Sequence, residues 1–168
     1  QWADSVAANP ILVSLIFFGV LFLANDLIST PFDWYDHFVI EERFGFNKMT
    51  LKTFFADKFK GLVLMAIVGG LILALIEWIY FSVGSGFWFY AWIIMAAFSI
   101  FMNMFYAQLI VPIFNKLTPL EEGELRDAIE KFGKEAGFQL DNIFVMDGSK
   151  RSTKANAYFS GLGAKKRM

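Results

Sequence analysis

The sequence predicts a mainly α fold: polytopic membrane helices followed by the beginning of a small polar α+β domain. Three observations carry that expectation. Apolar residues make up 57% of the 168 and mean hydropathy is +0.49, against about 45–50% apolar in soluble domains. The apolar residues are gathered into three long runs. The basic residues avoid those runs and fall into two blocks. Cysteine is absent and His37 is the one histidine, so disulfides, thiolate chemistry and a multi-histidine metal centre are excluded within this chain. No nucleic-acid partner is expected.

The first apolar run covers about 10–28, and within it Ile11 to Ala24 carries no charge. It suits one spanning helix at the short end of the usual range, so 1–28 is read as the first transmembrane helix. Gln1 is not an initiator residue and no basic segment precedes this run, so the N-terminus reads as an internal cut rather than a signal peptide. The segment 29–60 reads as amphipathic and interfacial. Thr30-Pro31-Phe32-Asp33 has the form of a helix start, with an N-cap, a first-turn proline and a third-position acid. Gly45 is placed to end that helix. Thr50 offers a second start, leading into Leu51, Phe54, Phe55 and Phe59 at helical spacing. Continued to Val83, this helix would run about 33 residues, or ~50 Å, and overshoot a ~30 Å hydrocarbon core.

The spans 61–83 and 87–111, separated by Gly84-Ser85-Gly86, read as a membrane helical hairpin within 61–115, with Pro112 marking a kink or exit. No Lys or Arg occurs before Arg43, and none between Gly61 and Asn115. With three spans, 29–60 and 116–168 lie on one side, and the positive-inside rule makes that side cytoplasmic. The N-terminus is then outside or lumenal.

The region 116–168 is polar. Thr118-Pro119-Leu120-Glu121 repeats the start signal. Leu125, Ile129, Phe132 and Ala136 form an apolar stripe, Asp127–Lys131 and Glu130–Lys134 are pairs four apart, and Gly137 closes the helix. Asn142 to Met146 reads as a strand, Asp147-Gly148-Ser149 as a turn, and 155–161 as a second strand ending in a glycine turn. The chain stops at Met168, where a partner strand would begin, so the domain reads as truncated.

Two long motifs now point to a family. Residues 31–50 (PFDWYDHFVIEERFGFNKMT) and 146–161 (MDGSKRSTKANAYFSG) resemble the type I CAAX prenyl proteases, integral-membrane HExxH zinc metallopeptidases. The resemblance covers about 25–168 in the family's order, with the expected spans between. It implies a seven-helix membrane barrel around a chamber and a cytosol-facing peptidase fold, of which 116–168 would be an incomplete part. It implies an HExxH helix and a further glutamate as the zinc site, and an edge strand that holds the peptide extended. In this chain that edge would be 155–161, with Asn156, Ala157 and Tyr158 binding substrate and Asn156 carrying the positioning amide. Lys154 departs from the family, where histidine is frequent. No HExxH occurs in the sequence. Zinc is thus implied for the full-length family member with no ligand from these residues, and the 168 residues alone are expected to be inactive. The partners implied are the bilayer, a peptide, prenylated or otherwise membrane-associated, and a missing C-terminal catalytic segment. The alternative is a non-catalytic membrane scaffold or degenerate relative. A transporter is disfavoured, because the spans lack paired charges and no internal repeat is visible.

Other polar residues have plainer readings. His37 is expected to pack or hydrogen-bond, and Glu41-Glu42 to be solvated or ion-paired. Glu77 is ionisable within a span and is a candidate chamber-lining residue. Asn103 and Gln108 are expected to bond between helices. Lys165-Lys166-Arg167 reads as a charged hairpin turn, with contact to anionic lipid as the other reading.

Overall fold

The computed structural model describes residues 3–137 and 142–158. They form two compact units that divide between Ile94 and Met95. In the first, helix α1 (Pro10–Tyr35) starts where Asn9 caps it, the Asn9 carboxamide accepting the Ile11 and Leu12 amides, with Pro10 in the first turn. No residue of α1 is buried, and α1 with the π turn that follows it is long and apolar enough to cross a membrane, 18 residues within it having mean hydropathy 2.4. A core helix of a soluble protein would be covered; this one shows its apolar side chains on all sides.

The helix start expected at Thr30-Pro31 does not form. Pro31 lies inside α1, and the Thr30 hydroxyl donates back to the Asp26 carbonyl at 2.6 Å. Membrane helices tolerate proline when hydroxyl side chains and neighbours satisfy the disturbed backbone, so a Thr-Pro pair here continues the helix. α1 passes directly into a π turn, Asp36–Glu41. Gly45 then ends the helix as expected, at φ +72. The Gly45 amide donates to the Glu42 carbonyl and the Phe46 amide to the Glu41 carbonyl, the paired bonds of a left-handed glycine cap. Asn47 fixes the link that follows, donating to the Glu42 carboxylate and accepting the Met49 amide.

Thr50 caps α2 (Leu51–Val83) as the sequence indicates, accepting the Thr53 amide. Its 33 residues correspond to ~50 Å. A three-residue 3₁₀ turn, Gly84–Gly86, with Gly84 at φ +71, joins it to α3 (Phe87–Leu109). The stretch Leu51–Phe114 is again long and apolar enough to cross a membrane, with 18 residues within it of mean hydropathy 2.5.

In the second unit, α3 gives way after Leu109 to the short α4 (Val111–Phe114), with Pro112 in its first turn. The next residues overturn a second expectation. Lys116–Pro119 is a strand, β1, and not a helix start. It pairs antiparallel with β2 (Phe144–Asp147), Lys116 opposite Asp147 and Pro119 opposite Phe144. Proline biases the residue before it toward extended backbone, and here a distant strand uses that bias. Helix α5 (Glu124–Glu135) starts later, after Gly123. Its ion pair is Arg126–Glu130 at 2.9 Å rather than the two pairs expected, because Arg126 also reaches the Leu120 carbonyl at 2.8 Å and is held in place. Leu125 and Phe132 on the apolar stripe are exposed, while Gly133 is buried. Gly137, at φ +72, closes the helix as expected.

Candidate functional site

The residues singled out for substrate contact follow β2. The turn after β2 is tightly bonded: the Asp147 carboxylate accepts the Ser149 amide at 3.1 Å and its hydroxyl at 2.6 Å, and the Gly148 carbonyl accepts the Arg151 and Ser152 amides. The Ser149 hydroxyl and then its amide hold the Asp147 carboxyl below the usual carboxylate range. Ser152 in turn accepts the Lys154 amide. Arg151 ties this knot to the end of α4, donating to the Asn115 side-chain oxygen at 2.6 Å and to the Phe114 carbonyl at 2.8 Å.

Beyond the knot, residues 155–158 are exposed and extend without a ladder partner among the described residues. The strand expected over 155–161 is therefore not formed in its described part, for a strand needs a neighbour to bond. Residues 159–161 and Lys165-Lys166-Arg167 lie outside the described residues. The Asn156 side-chain oxygen accepts the Ala157 amide at 2.8 Å. Asn156, Ala157 and Tyr158 thus stand consecutively on one open segment.

Glu77 belongs to the first unit, on α2 about two turns before Val83, and is half-buried without a hydrogen bond or ion pair among the described residues. A groove of about 810 Å³ runs between α1 and α2, lined by Phe18, Phe22, Leu62, Ala66, Gly69, Gly70 and other apolar residues through Ala74; Glu77 does not line it. Asn103 and Gln108 find no interhelical partner among the described residues, and the Gln108 amide nitrogen is buried without one.

His37 behaves as a packing residue. Its Nδ1–H donates to the Asp33 carbonyl at 2.8 Å, and its ring meets Phe54 edge-on at 6.0 Å. Among the described residues no group of three His, Cys, Asp or Glu could hold a metal. With no cysteine and one histidine already placed against an apolar ring, these residues do not fit a zinc site.

Two features were not visible in the sequence. Lys58 on α2 bridges Asp26 at 3.1 Å and Asp33 at 2.9 Å on α1, partners 32 and 25 residues away. Arg151 stands between Lys150 and Lys154 in a short basic stretch, and its partners lie 36 and 37 residues upstream. No local pattern marks either contact.

Comparison with known proteins decides the family. Residues 1–116 match the model "CAAX prenyl protease N-terminal, five membrane helices". The chain belongs to the CAAX prenyl protease family. Residues 119–168 match the peptidase family M48, so this member of the CAAX prenyl protease family matches the two models in order along the chain. It is 44% identical to CAAX prenyl protease 1 of Saccharomyces cerevisiae, over 89% of this chain and 33% of that protein. It is 41% identical to the Arabidopsis thaliana homolog, over 95% of this chain and 38% of that protein, and 38% identical to the Homo sapiens homolog, over 92% and 33%. The crystal structure of S. mikatae Ste24p superposes with a TM-score of 0.87 at 44% identity, covering 92% of this chain and 37% of that one. The chain spans about a third of the length of the curated relatives it matches. It is an integral membrane protein with a mainly α fold, as its composition indicates.

Proposed function

We propose that this chain is the N-terminal membrane and substrate-edge portion of an integral-membrane zinc metalloendopeptidase that cleaves near the C-terminus of CAAX-type prenylated or other membrane-associated peptides. The observation that supports the reading is the order of the two family matches, membrane helices over 1–116 and peptidase over 119–168. Their junction falls at β1, where the chain passes from apolar helix to a hydrogen-bonded ribbon.

Within that reading the residues divide the work. The long helices anchor the chain and, by the distribution of basic residues, hold 29–60 and 116–168 in the cytoplasm. Segment 155–161 receives the peptide by strand addition, in which main-chain bonds hold the substrate without demanding one sequence. The Asn156 oxygen is taken by its neighbour's amide, which leaves the NH₂ donors for a substrate carbonyl. Glu77 is assigned to the wall of the chamber. Zinc, supplied with its ligands by the complete enzyme, activates water and polarises the scissile carbonyl. This chain contributes no ligand to it.

The test uses the full-length enzyme that carries this chain, loaded with zinc and given a prenylated CAAX peptide. Cleavage is expected, with Asn156→Ala lowering kcat/KM at least about tenfold, the scale of a lost substrate-positioning hydrogen bond. Absence of cleavage would favour the non-catalytic scaffold, and cleavage untouched by Asn156→Ala would remove the substrate-edge assignment. The 168 residues alone, with zinc, are expected to release no product.

A further inference from the structure

We infer that Arg151 is a positioning residue for peptide binding, holding the segment that contains Asn156 at a fixed distance from the membrane helix end. The inference rests on the substrate-edge reading of Asn156–Tyr158 and adds a residue to it. The β1–β2 ladder is four pairs long and ends at Lys116 opposite Asp147. Past that point the chain turns, and Ser152 makes a single isolated bridge of the strand type. Arg151 extends the hold two residues beyond the ladder, to Asn115 and Phe114.

The chemistry suits arginine. Phe114 is the last residue of α4, so its carbonyl is one of the helix-end acceptors that lack an intrahelical donor. The planar guanidinium satisfies that carbonyl and the Asn115 carboxamide at once, with two nitrogens of one rigid fork. Asn115 is itself fixed, its amide donating to the Val111 carbonyl at 2.8 Å. On the other side the Arg151 amide is bonded to the Gly148 carbonyl at 2.9 Å. Main chain and side chain together make Arg151 a strut between α4 and the knot, four residues before an open segment with no ladder of its own among the described residues. Losing the strut removes the tie between α4 and the knot and widens the range of positions that Asn156 samples before a peptide arrives. Ordering the segment then weakens binding, while the bond-breaking step is untouched.

The experiment measures kcat and KM for the zinc-loaded full-length enzyme on a prenylated CAAX peptide, with thermal unfolding alongside. Arg151→Met is expected to raise KM about tenfold with kcat within about twofold, and Arg151→Lys to recover only part, since an ammonium cannot reproduce the fork. Combined with Asn156→Ala, Arg151→Met is expected to add little, because both act through one segment. An unchanged KM, a loss that multiplies fully with that of Asn156→Ala, or a fall in kcat and thermal stability at constant KM would each overturn the assignment. If Arg151→Met does not accumulate, Asn115→Ala decides, since it removes one acceptor and keeps the guanidinium: a KM rise of about threefold supports the strut, and an unchanged KM sinks it. A silent Asn156→Ala defeats the substrate-edge reading itself, whereas a costly Asn156→Ala beside a silent Arg151→Met defeats this inference alone.

Discussion

The two ends of the described chain are fastened by different forces. In the membrane unit, α1 and α2 are joined where Phe54, 4% exposed, sits among His37, Phe38 and Phe55, with Lys58 over its ring and between two carboxylates. Nearly all the remaining large side chains of these helices are left for lipid or for other parts of the protein. In the polar unit, α4, the ribbon and the knot are joined by directed hydrogen bonds through carbonyls, an amide and a guanidinium, and few large side chains are buried. A membrane offers little hydrophobic drive between helices, so the first unit depends on a few dense contacts. Water competes for every bond of the second, so its order comes from several bonds acting together.

Substitutions can break that contrast. The largest effect is expected at Phe54: Phe54→Ala empties a packed aromatic site and should cost about 3–5 kcal/mol, read as a fall in the thermal midpoint of the detergent-solubilised full-length protein. A cost under about 1 kcal/mol would show that the cluster does not fasten α1 to α2. Lys58→Met, which leaves Asp26 and Asp33 without their shared cation, should cost about 1–2 kcal/mol after allowing for the partial exposure of all three groups. Asp26→Asn with Asp33→Asn should not add fully to it. Gly45→Ala should cost about 1 kcal/mol through its left-handed backbone alone, since a Cβ there meets nothing within 4 Å.

The smallest effect sharpens the other side of the contrast. The Asp147 carboxyl is depressed by its bonds from Ser149. Its contribution is therefore complete above the ordinary carboxylate pKa of about 4 and is lost as pH falls through the lower folded value. The Ser149 amide should keep its hydrogen-exchange protection at pH 5 and lose it once the pH has fallen below the ordinary carboxylate range, and Asp147→Asn should flatten that dependence.

Much of this architecture could be read from local chemistry. Asparagine or threonine before an apolar run, glycine after one, and an Asp-Gly-Ser turn each act within a few residues, and Thr50, Gly45, Gly137 and Asp147 fall where those rules put them. The two Thr-Pro pairs show where local rules end. Thr30-Pro31 and Thr118-Pro119 carry the same start signal, yet one continues a membrane helix and the other joins a strand. Surroundings choose between them: a carbonyl one turn back for Thr30, and a strand 27 residues away for Thr118. The site divides in the same way. Asn156 was marked by its motif, whereas Arg151 and Lys58 owe their roles to partners at least 25 residues distant.

The π turn at Asp36–Glu41 gives α1 a place where its length can change. Such a turn is a helix carrying one surplus residue, inserted here between the proline-containing last turns of α1 and the glycine cap. In a regular α-helix one added residue rotates everything beyond it by about 100°, whereas the wider turn takes up its surplus residue locally and leaves the flanking turns nearly in register. Without that slack the cap would travel intact, but Glu42 and Asn47 would arrive on a different side of the helix, and the approach to Thr50 would be re-aimed. The wide turn thus preserves the heading at which the chain leaves one long helix for the next.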